Sequence, residues 1–377
     1  MTRQETHLGK RTGWAAHLAA ALALATIAIA LVAGAANAAV PPSFWGVGSQ
    51  TPLDPNGPDF DRMGQGKVGT LRQAIFWSDI DPTPDAGDSN WGAVDALVGA
   101  AARNGVEILP FFYGTPQWAA ALDGHSCQPV KCGTFAPKKK AALEAWKTFL
   151  GEAVDRYGPN GTFWTNNPTL PKLPFTTYQI WNEMNSSTFF APKANPKDYA
   201  KLLAASAEVI RAKDPSAKIV LGGMAELAGS KKAVPASEYL PKLYKVSGVE
   251  SNFDGVALHP YGSTLEKVAA QVELFRKEMK QAGDSAGGLW VTEIGWGSAT
   301  GGNPLNKGKQ GQAQRLTEAF KYFEKNRNKF KIQNVDWFSW IDSKVSICDW
   351  CKTSGLFKSG LRAKPSFKAF TKFTGGS

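Results

Sequence analysis

The chain has 377 residues, 43% of them hydrophobic and 20% charged, with 43 Lys and Arg against 32 Asp and Glu and a formal net charge of +11. This balance excludes a disordered or fibrous chain and provides core enough for one large domain. The basic excess is compatible with an acidic polymer or an anionic surface, but lysines such as Lys138–Lys140 and Lys231–Lys232 lack the aromatic interleaving of a nucleic-acid site, so no nucleic-acid partner is expected.

Residues 1–38 read as a secretory signal. Arg3, Lys10 and Arg11 precede an apolar run from Leu18 to Ala36, and Ala36-Asn37-Ala38 is a small-residue cleavage site. Cleavage leaves 39–377 as an extracellular domain with no membrane insertion; the competing reading is an uncleaved anchor, since the apolar run is just long enough to span a bilayer. In an exported chain the four cysteines are expected to form disulfides. Four cysteines allow three connectivities, and local pairing, Cys127 with Cys132 and Cys348 with Cys351, would pin one loop each. A zinc site from His125 and the cysteines lacks the spacing of a strong signal, and Cys348–Cys351 lacks a thioredoxin-like context.

In the mature chain, short apolar runs alternate with amphipathic segments. FWGVGS (44–49) and VGTLRQAIFW (68–77) read as strands one and two, separated by a Pro, Gly and Asp-rich loop. A helix is expected from about Trp91 to Asn104, stopped by Gly105, and then strand three, VEILPFFYG (106–114). After the loop with the first cysteine pair, Leu143, Trp146, Leu150 and Val154 at helical spacing predict a helix over 138–157. Strand four begins at Tyr178, and Asn195-Pro196 opens the next helix with a cap and a first-turn proline. Strands five and six are AKIVLGG (217–223) and FDGVALHPYG (253–262), the latter followed by a Ser263-Thr264-Leu265-Glu266 capping box. LWVTEIGWG (289–297) is strand seven, a helix covers about 310–328, NVDWFSWIDS (334–343) is strand eight, and a short basic helix ends the chain. Eight strands with intervening helices predict a single (β/α)8 TIM barrel of the α/β class.

Two of these strands end alike. YQIWNEMN (178–185) presents Glu183 after three strand-favouring residues, and LWVTEIGWGS (289–298) presents Glu293 before glycines. Two barrel strands that each deliver one carboxylate at the C-terminal end are what glycoside hydrolysis requires. Thirteen Trp and 21 Phe add aromatic faces, which serve as core and as platforms for sugar rings.

With WNE at 181–183 and TEIGW at 292–296, the mature chain resembles the TIM-barrel clan of retaining glycoside hydrolases that carry the acid/base on strand four and the nucleophile on strand seven, in particular its cellulase-like and β-xylosidase-like members. The resemblance implies a secreted hydrolase of β-linked oligo- or polysaccharides, with Glu183 as acid/base and Glu293 as nucleophile. It further implies that Asn182 binds the sugar 2-hydroxyl, that Arg72 lies close to the nucleophile, and that Tyr261 donates to that nucleophile while His259 lines the site. Trp340 matches the strand-eight Trp that floors the subsite, after which the peptide is often cis, with Trp337 as competitor. Tyr113 and Trp118 match residues edging the same subsite, although Tyr113 stands where other members have His. Trp296 is either a further platform or core.

No HExxH or P-loop motif is present, and the reaction needs no metal or other cofactor. The chain is expected to act as a monomer. Two other functions use the same residues or the same cleft: a transglycosylase remodelling cell-wall glucan, and a non-catalytic carbohydrate-binding barrel.

Overall fold

The computed structural model describes residues 1–2, 40–84, 89–227, 229–346 and 348–377. The expected signal segment therefore lies, but for its first two residues, outside the described residues. The fold below belongs to the compact unit Pro42–Ser377.

Eight parallel strands form the barrel: β1 (Trp45–Gly48), β2 (Thr70–Phe76), β3 (Glu107–Tyr113), β4 (Thr177–Ile180), β5 (Lys218–Leu221), β6 (Gly255–His259), β7 (Gly288–Ile294) and β8 (Ile332–Phe338). Each pairs with the next, and β8 pairs with β1 from Val335↔Trp45 to Phe338↔Gly48, which closes the ring. β5 and β6 meet at Val220 and Gly255, and a two-residue segment, Met224–Ala225, extends the pairing along β6 as far as His259.

A principal helix follows each strand: α1 (Asp59–Gln65), α2 (Gly92–Arg103), α3 (Lys140–Tyr157), α4 (Pro196–Lys213), α5 (Ala236–Tyr244), α6 (Leu265–Gln281), α7 (Gly308–Phe330) and α8 (Pro365–Thr374), with short additional helices at Trp77–Ile80, Pro129–Cys132 and Thr162–Asn166. The expected single (β/α)8 barrel is the observed fold. Helix periodicity decides which faces are covered: α3 buries Trp146, Phe149, Leu150, Ala153 and Val154, one continuous stripe at 3.6-residue spacing. Asn195 caps α4 as expected, its side chain accepting from the Lys197 and Asp198 amides. In α6 the cap is Thr264, one residue beyond the start of the expected capping box, because Thr264 Oγ1 accepts from the Lys267 amide.

The barrel interior is filled by Leu109, Val220, Ala257 and Trp290. Most of the tryptophan excess goes into core: Trp77, Trp146, Trp181, Trp296, Trp337 and Trp340 are fully buried. The cysteines pair locally, Cys127 with Cys132 and Cys348 with Cys351, in the loops after β3 and β8. Among the described residues no helix is long and apolar enough to cross a membrane.

Candidate active site

Glu183 lies three residues past the end of β4, on backbone that is unusual for its sequence. Trp181 (φ 71°) and Glu183 (φ 40°) both occupy the left-handed region that costs a non-glycine residue about 1–3 kcal/mol. Two contacts fix this bend. The buried Trp181 indole donates to the Phe189 carbonyl at 2.8 Å, and the Glu183 amide donates to the Gly223 carbonyl at 2.9 Å. The Glu183 carboxyl is thereby set at the C-terminal mouth of the barrel, 13% exposed.

Glu293 reaches the same place through a bulge. β7 and β8 pair at Val291↔Val335 and next at Ile294↔Trp337, so three steps on β7 oppose two on β8. The extra residue turns the chain locally, as bulges beside active sites do. Both Glu293 oxygens then accept hydrogen bonds, Oε1 from Arg72 Nη1 at 2.7 Å and Oε2 from the Tyr261 hydroxyl at 2.6 Å.

Arg72, from β2, ties together the segments that carry Glu183 and Glu293. Its Nε donates to Gln179 Oε1 and its Nη2 to Asn182 Oδ1, both at 2.8 Å, while the guanidinium lies 4.2 Å from the centre of the Phe111 ring. With Oδ1 held by Arg72, the Asn182 amino group is the part free to donate to a ligand. Gln179 is a site residue that the sequence reading passed over. Its signal was a polar side chain in the middle of the otherwise apolar YQIW, and Gln179 is indeed fully buried, with Nε2 donating to the Leu221 carbonyl at 3.2 Å.

His259 bridges the carboxylates. Its Nδ1 lies 2.9 Å from Glu183 Oε1 and 3.5 Å from Glu293 Oε2, and Nε2 shares a hydrogen bond with Thr292 Oγ1 at 3.1 Å. Gly223 makes this possible, because a Cβ at that position would overlap the imidazole ring. One donor atom from each of Glu183, His259 and Glu293 falls within 4.8 Å of the other two. Such a trio has the chemistry of a cation site, but Arg72 and Tyr261 already occupy both Glu293 oxygens, and the Arg72 charge competes directly with a metal ion there.

The electrostatics set the two ends of this network apart. Burial alone would raise the Glu293 pKa, but the charges of His259 and Arg72 and the hydrogen bonds from Tyr261 and Arg72 outweigh it, and the carboxyl is held below the ordinary range. The Tyr261 hydroxyl is pushed far up, by burial first and then by the negative charge of Glu293, so it remains a donor. On β8, Asp336 is fully buried, and neither carboxyl oxygen has a hydrogen-bond partner among the described residues. Burial drives its pKa well up and so favours the protonated acid, although the Arg72 charge acts in the opposite direction.

A cavity of about 1340 Å³ lies over the carboxylates, and Arg72, Asn182, Glu183, Tyr261 and Glu293 all line it. Its aromatic lining differs from the expected one. Phe76, Phe111, Phe189, Phe338 and Trp350 face the cavity, whereas Tyr113, Trp118, Trp296 and Trp340 are not among its lining residues. Trp340 is displaced because β8 ends at Phe338, earlier than expected. The non-proline cis peptide falls at Phe338–Ser339, and beyond it the Trp340 indole donates to Asp59 Oδ1 at 2.7 Å and packs on Phe357 and Phe367. Trp337 is also core, its indole bonded to the Ser354 carbonyl at 3.0 Å. Trp296 takes the core alternative, with Nε1 donating to the Gly262 carbonyl at 2.8 Å. Tyr113 packs edge-on against Trp181 and donates to the Phe189 carbonyl at 3.3 Å, and Trp118 packs against Trp77 outside the cavity.

Comparison with known proteins agrees with this architecture. The model of the glycosyl hydrolase catalytic core family matches residues 168–370, more than half of the chain and inclusive of both glutamates. No curated protein matches the sequence. Among solved structures, the chain is similar to a family 39 glycoside hydrolase from the gut symbiont Bacteroides cellulosilyticus (TM-score 0.64, 19% identity, covering 89% of this chain and 64% of that one). It is also similar to a family 39 β-xylosidase from Caulobacter crescentus (TM-score 0.66, 19% identity, 90% and 73%) and to an intracellular xylanase from Thermoanaerobacterium saccharolyticum (TM-score 0.57, 18% identity, 87% and 94%). At these identities the likeness is one of fold, and the chain spans 64% of the length of the Bacteroides protein. From the family match and the barrel together, the chain belongs to the glycosyl hydrolase catalytic core family.

Proposed function

We propose that this chain is a secreted, retaining O-glycosyl hydrolase that cleaves β-linked oligo- or polysaccharides by double displacement. The observation that carries the reading is the separation of the carboxylates: oxygens of Glu183 and Glu293 come within 4.8 Å of each other. Retaining enzymes hold the two groups roughly 5–5.5 Å apart, whereas inverting enzymes need about 6.5–9.5 Å to admit a water between them.

In the first step Glu293, kept ionised by Arg72 and Tyr261, attacks the anomeric carbon as Glu183 gives its proton to the departing oxygen. The glycosidic bond breaks and a glycosyl ester forms on Glu293. In the second step Glu183 takes a proton from water, the water oxygen bonds to the anomeric carbon, and the ester bond to Glu293 breaks. His259, 2.9 Å from Glu183, holds the acid/base in line through both steps. Asn182, with Oδ1 fixed by Arg72, donates its amino group to the sugar 2-hydroxyl.

The names of the structural neighbours, xylosidase and xylanase among them, favour β-xylosides and related sugars as substrates. The cavity is larger than one sugar ring requires, which suits an oligosaccharide segment. The disulfides and the signal-like sequence at 1–38 support export to an oxidising compartment.

The test is product release, followed by mass spectrometry, from β-linked polysaccharides and aryl β-glycosides, with Glu293→Gln as control. Release by wild type that is lost in the control supports the reading. Glycan binding by both proteins without release from any substrate would replace it with a carbohydrate-binding barrel.

A further inference from the structure

Phe338, the last residue of β8, lines the cavity that the expected strand-eight tryptophan, Trp340, does not reach, and a different tryptophan stands beside it. Trp350 begins a short 3-10 turn, Trp350–Thr353, in the loop after β8, and it lines the cavity with the catalytic groups. Three elements of the site surround its ring. Tyr261, the donor to Glu293, meets it edge-on at 4.9 Å between centroids, and Phe338 does so at 6.3 Å. Gly295, two residues after Glu293, runs beneath it, so that even a Cβ there would lie only 3.6 Å from Trp350 Cζ3. Unlike the indoles of Trp296, Trp337 and Trp340, the Trp350 N–H has no acceptor among the described residues. It presents an apolar ring and an unused donor to the same cavity, the pairing a sugar hydroxyl and its ring face require.

The loop carrying Trp350 is held from several sides. The Cys348–Cys351 disulfide closes around the tryptophan itself. Gln50 Nε2 donates to the Cys351 carbonyl at 2.7 Å. Behind the turn, the buried Lys364 ammonium donates to the Thr353 carbonyl at 2.9 Å and pairs with Asp342 at 2.6 Å, and Gln312 Nε2 donates to the Thr353 and Ser354 carbonyls. A loop with no role in the site would not require this many buried polar anchors, each of which has to be satisfied to be tolerated.

We propose that Trp350 forms a wall of the sugar site, that its ring also positions Tyr261 against the nucleophile, and that the Cys348–Cys351 disulfide keeps it there. The proposal rests on the glycosidase reading above. It makes Trp350 a specificity residue delivered by a disulfide-clamped loop instead of by the barrel strand, and it gives the second cysteine pair a purpose in the site.

The test compares Trp350→Ala, Trp350→Phe and the double variant Cys348→Ser with Cys351→Ser, in the full chain. kcat and KM are read separately on 4-nitrophenyl β-glycosides of xylose, glucose, mannose and glucuronic acid. Binding of the corresponding free sugars and of xylotetraose is read by tryptophan fluorescence in the Glu293→Gln background. Trp350→Ala is expected to raise KM tenfold or more and to lower kcat. Trp350→Phe, which keeps a ring against Tyr261 but lacks the N–H, is expected to recover most of kcat and little of KM, and the double variant to lower kcat in the same direction. An active Trp350→Ala with kcat and KM within twofold of wild type overturns the proposal, as does Trp350→Phe losing kcat as fully as the alanine variant. Wild type that turns over none of the glycosides but binds a sugar in a Trp350-dependent way would end the glycosidase reading and keep the wall. Neither turnover nor binding would end both.

Discussion

Arg72 donates to Glu293 across the barrel at 2.7 Å, from a guanidinium only 4% exposed. The same group grips Gln179 and Asn182, a three-way contact that a lysine ammonium cannot reproduce. Arg72→Lys is therefore expected to lower kcat/KM by roughly 10²-fold, the scale on which one misplaced catalytic contact is felt.

The acid limb of the activity profile follows from the same contact. In the proposed mechanism Glu293 attacks as the carboxylate, and its pKa lies below the ordinary value of about 4.3, so wild-type activity should persist on acidification until pH drops below that value. Weakening the Arg72 contact raises the Glu293 pKa, and the acid limb of kcat/KM in Arg72→Lys should move to higher pH. An unmoved limb would mean that Arg72 does not set the charge of the nucleophile.

Gly223 tests the bridging histidine without touching it. A methyl at this position overlaps the His259 ring, so Gly223→Ala should push the imidazole off Glu183. A loss of activity of roughly tenfold or more is expected, on the scale of one lost positioning contact. Circular dichroism would check that the barrel remains folded, and full activity would show that the contact between His259 and Glu183 is dispensable.

Trp340 and Phe338 should separate stability from substrate binding. Trp340→Phe removes a buried indole and its bond to Asp59 and should lower stability by about 1–3 kcal/mol with KM unchanged. Phe338→Ala, in the cavity lining, should raise KM by roughly tenfold or more, a loss of about 1.4 kcal/mol in binding. The reverse pattern would return the subsite floor to Trp340.

Asp336 gives a stability prediction with a definite sign. Its folded pKa is raised above the unfolded value, so between the two the folded chain binds more protons than the unfolded one and stability falls as pH rises from about 4. Asp336→Asn removes that dependence. The variant should melt higher than wild type at neutral pH, by about 1.5 °C for each 1 kcal/mol gained, with the advantage shrinking toward pH 4. A lower melting temperature at neutral pH would show that the ionised carboxylate is the stabilising form.

The barrel was legible because each strand is a short apolar run that must be buried on both faces, and each helix carries its own periodic stripe, as in α3. That Glu183 and Glu293 come together was legible because each stands at the end of an apolar strand, and the barrel brings such strand ends to one mouth. Arg72, Asn182 and Tyr261 followed from the resemblance and take their places in the cavity lining. The aromatic lining was not legible, because which ring faces the cavity depends on where a strand stops. β8 stops at Phe338, which turns Trp340 into core. Trp350 sits in a loop whose path is fixed by Gln50, Gln312 and Lys364, contacts between residues far apart in the chain that no local pattern encodes. Gln179 carried a readable signal, a buried amide inside an apolar strand, but its partner Arg72 lies 107 positions away.

The central claim is that Glu183 and Glu293 stand close enough for a covalent sugar intermediate. The most direct measurement is the configuration of the sugar first released from an aryl β-glycoside, followed by proton NMR before mutarotation. The account predicts that the β-anomer appears first and the α-anomer only later, by mutarotation. Release of the α-anomer first would mean that water attacks the substrate directly, and that Glu293 is not a nucleophile in this chain.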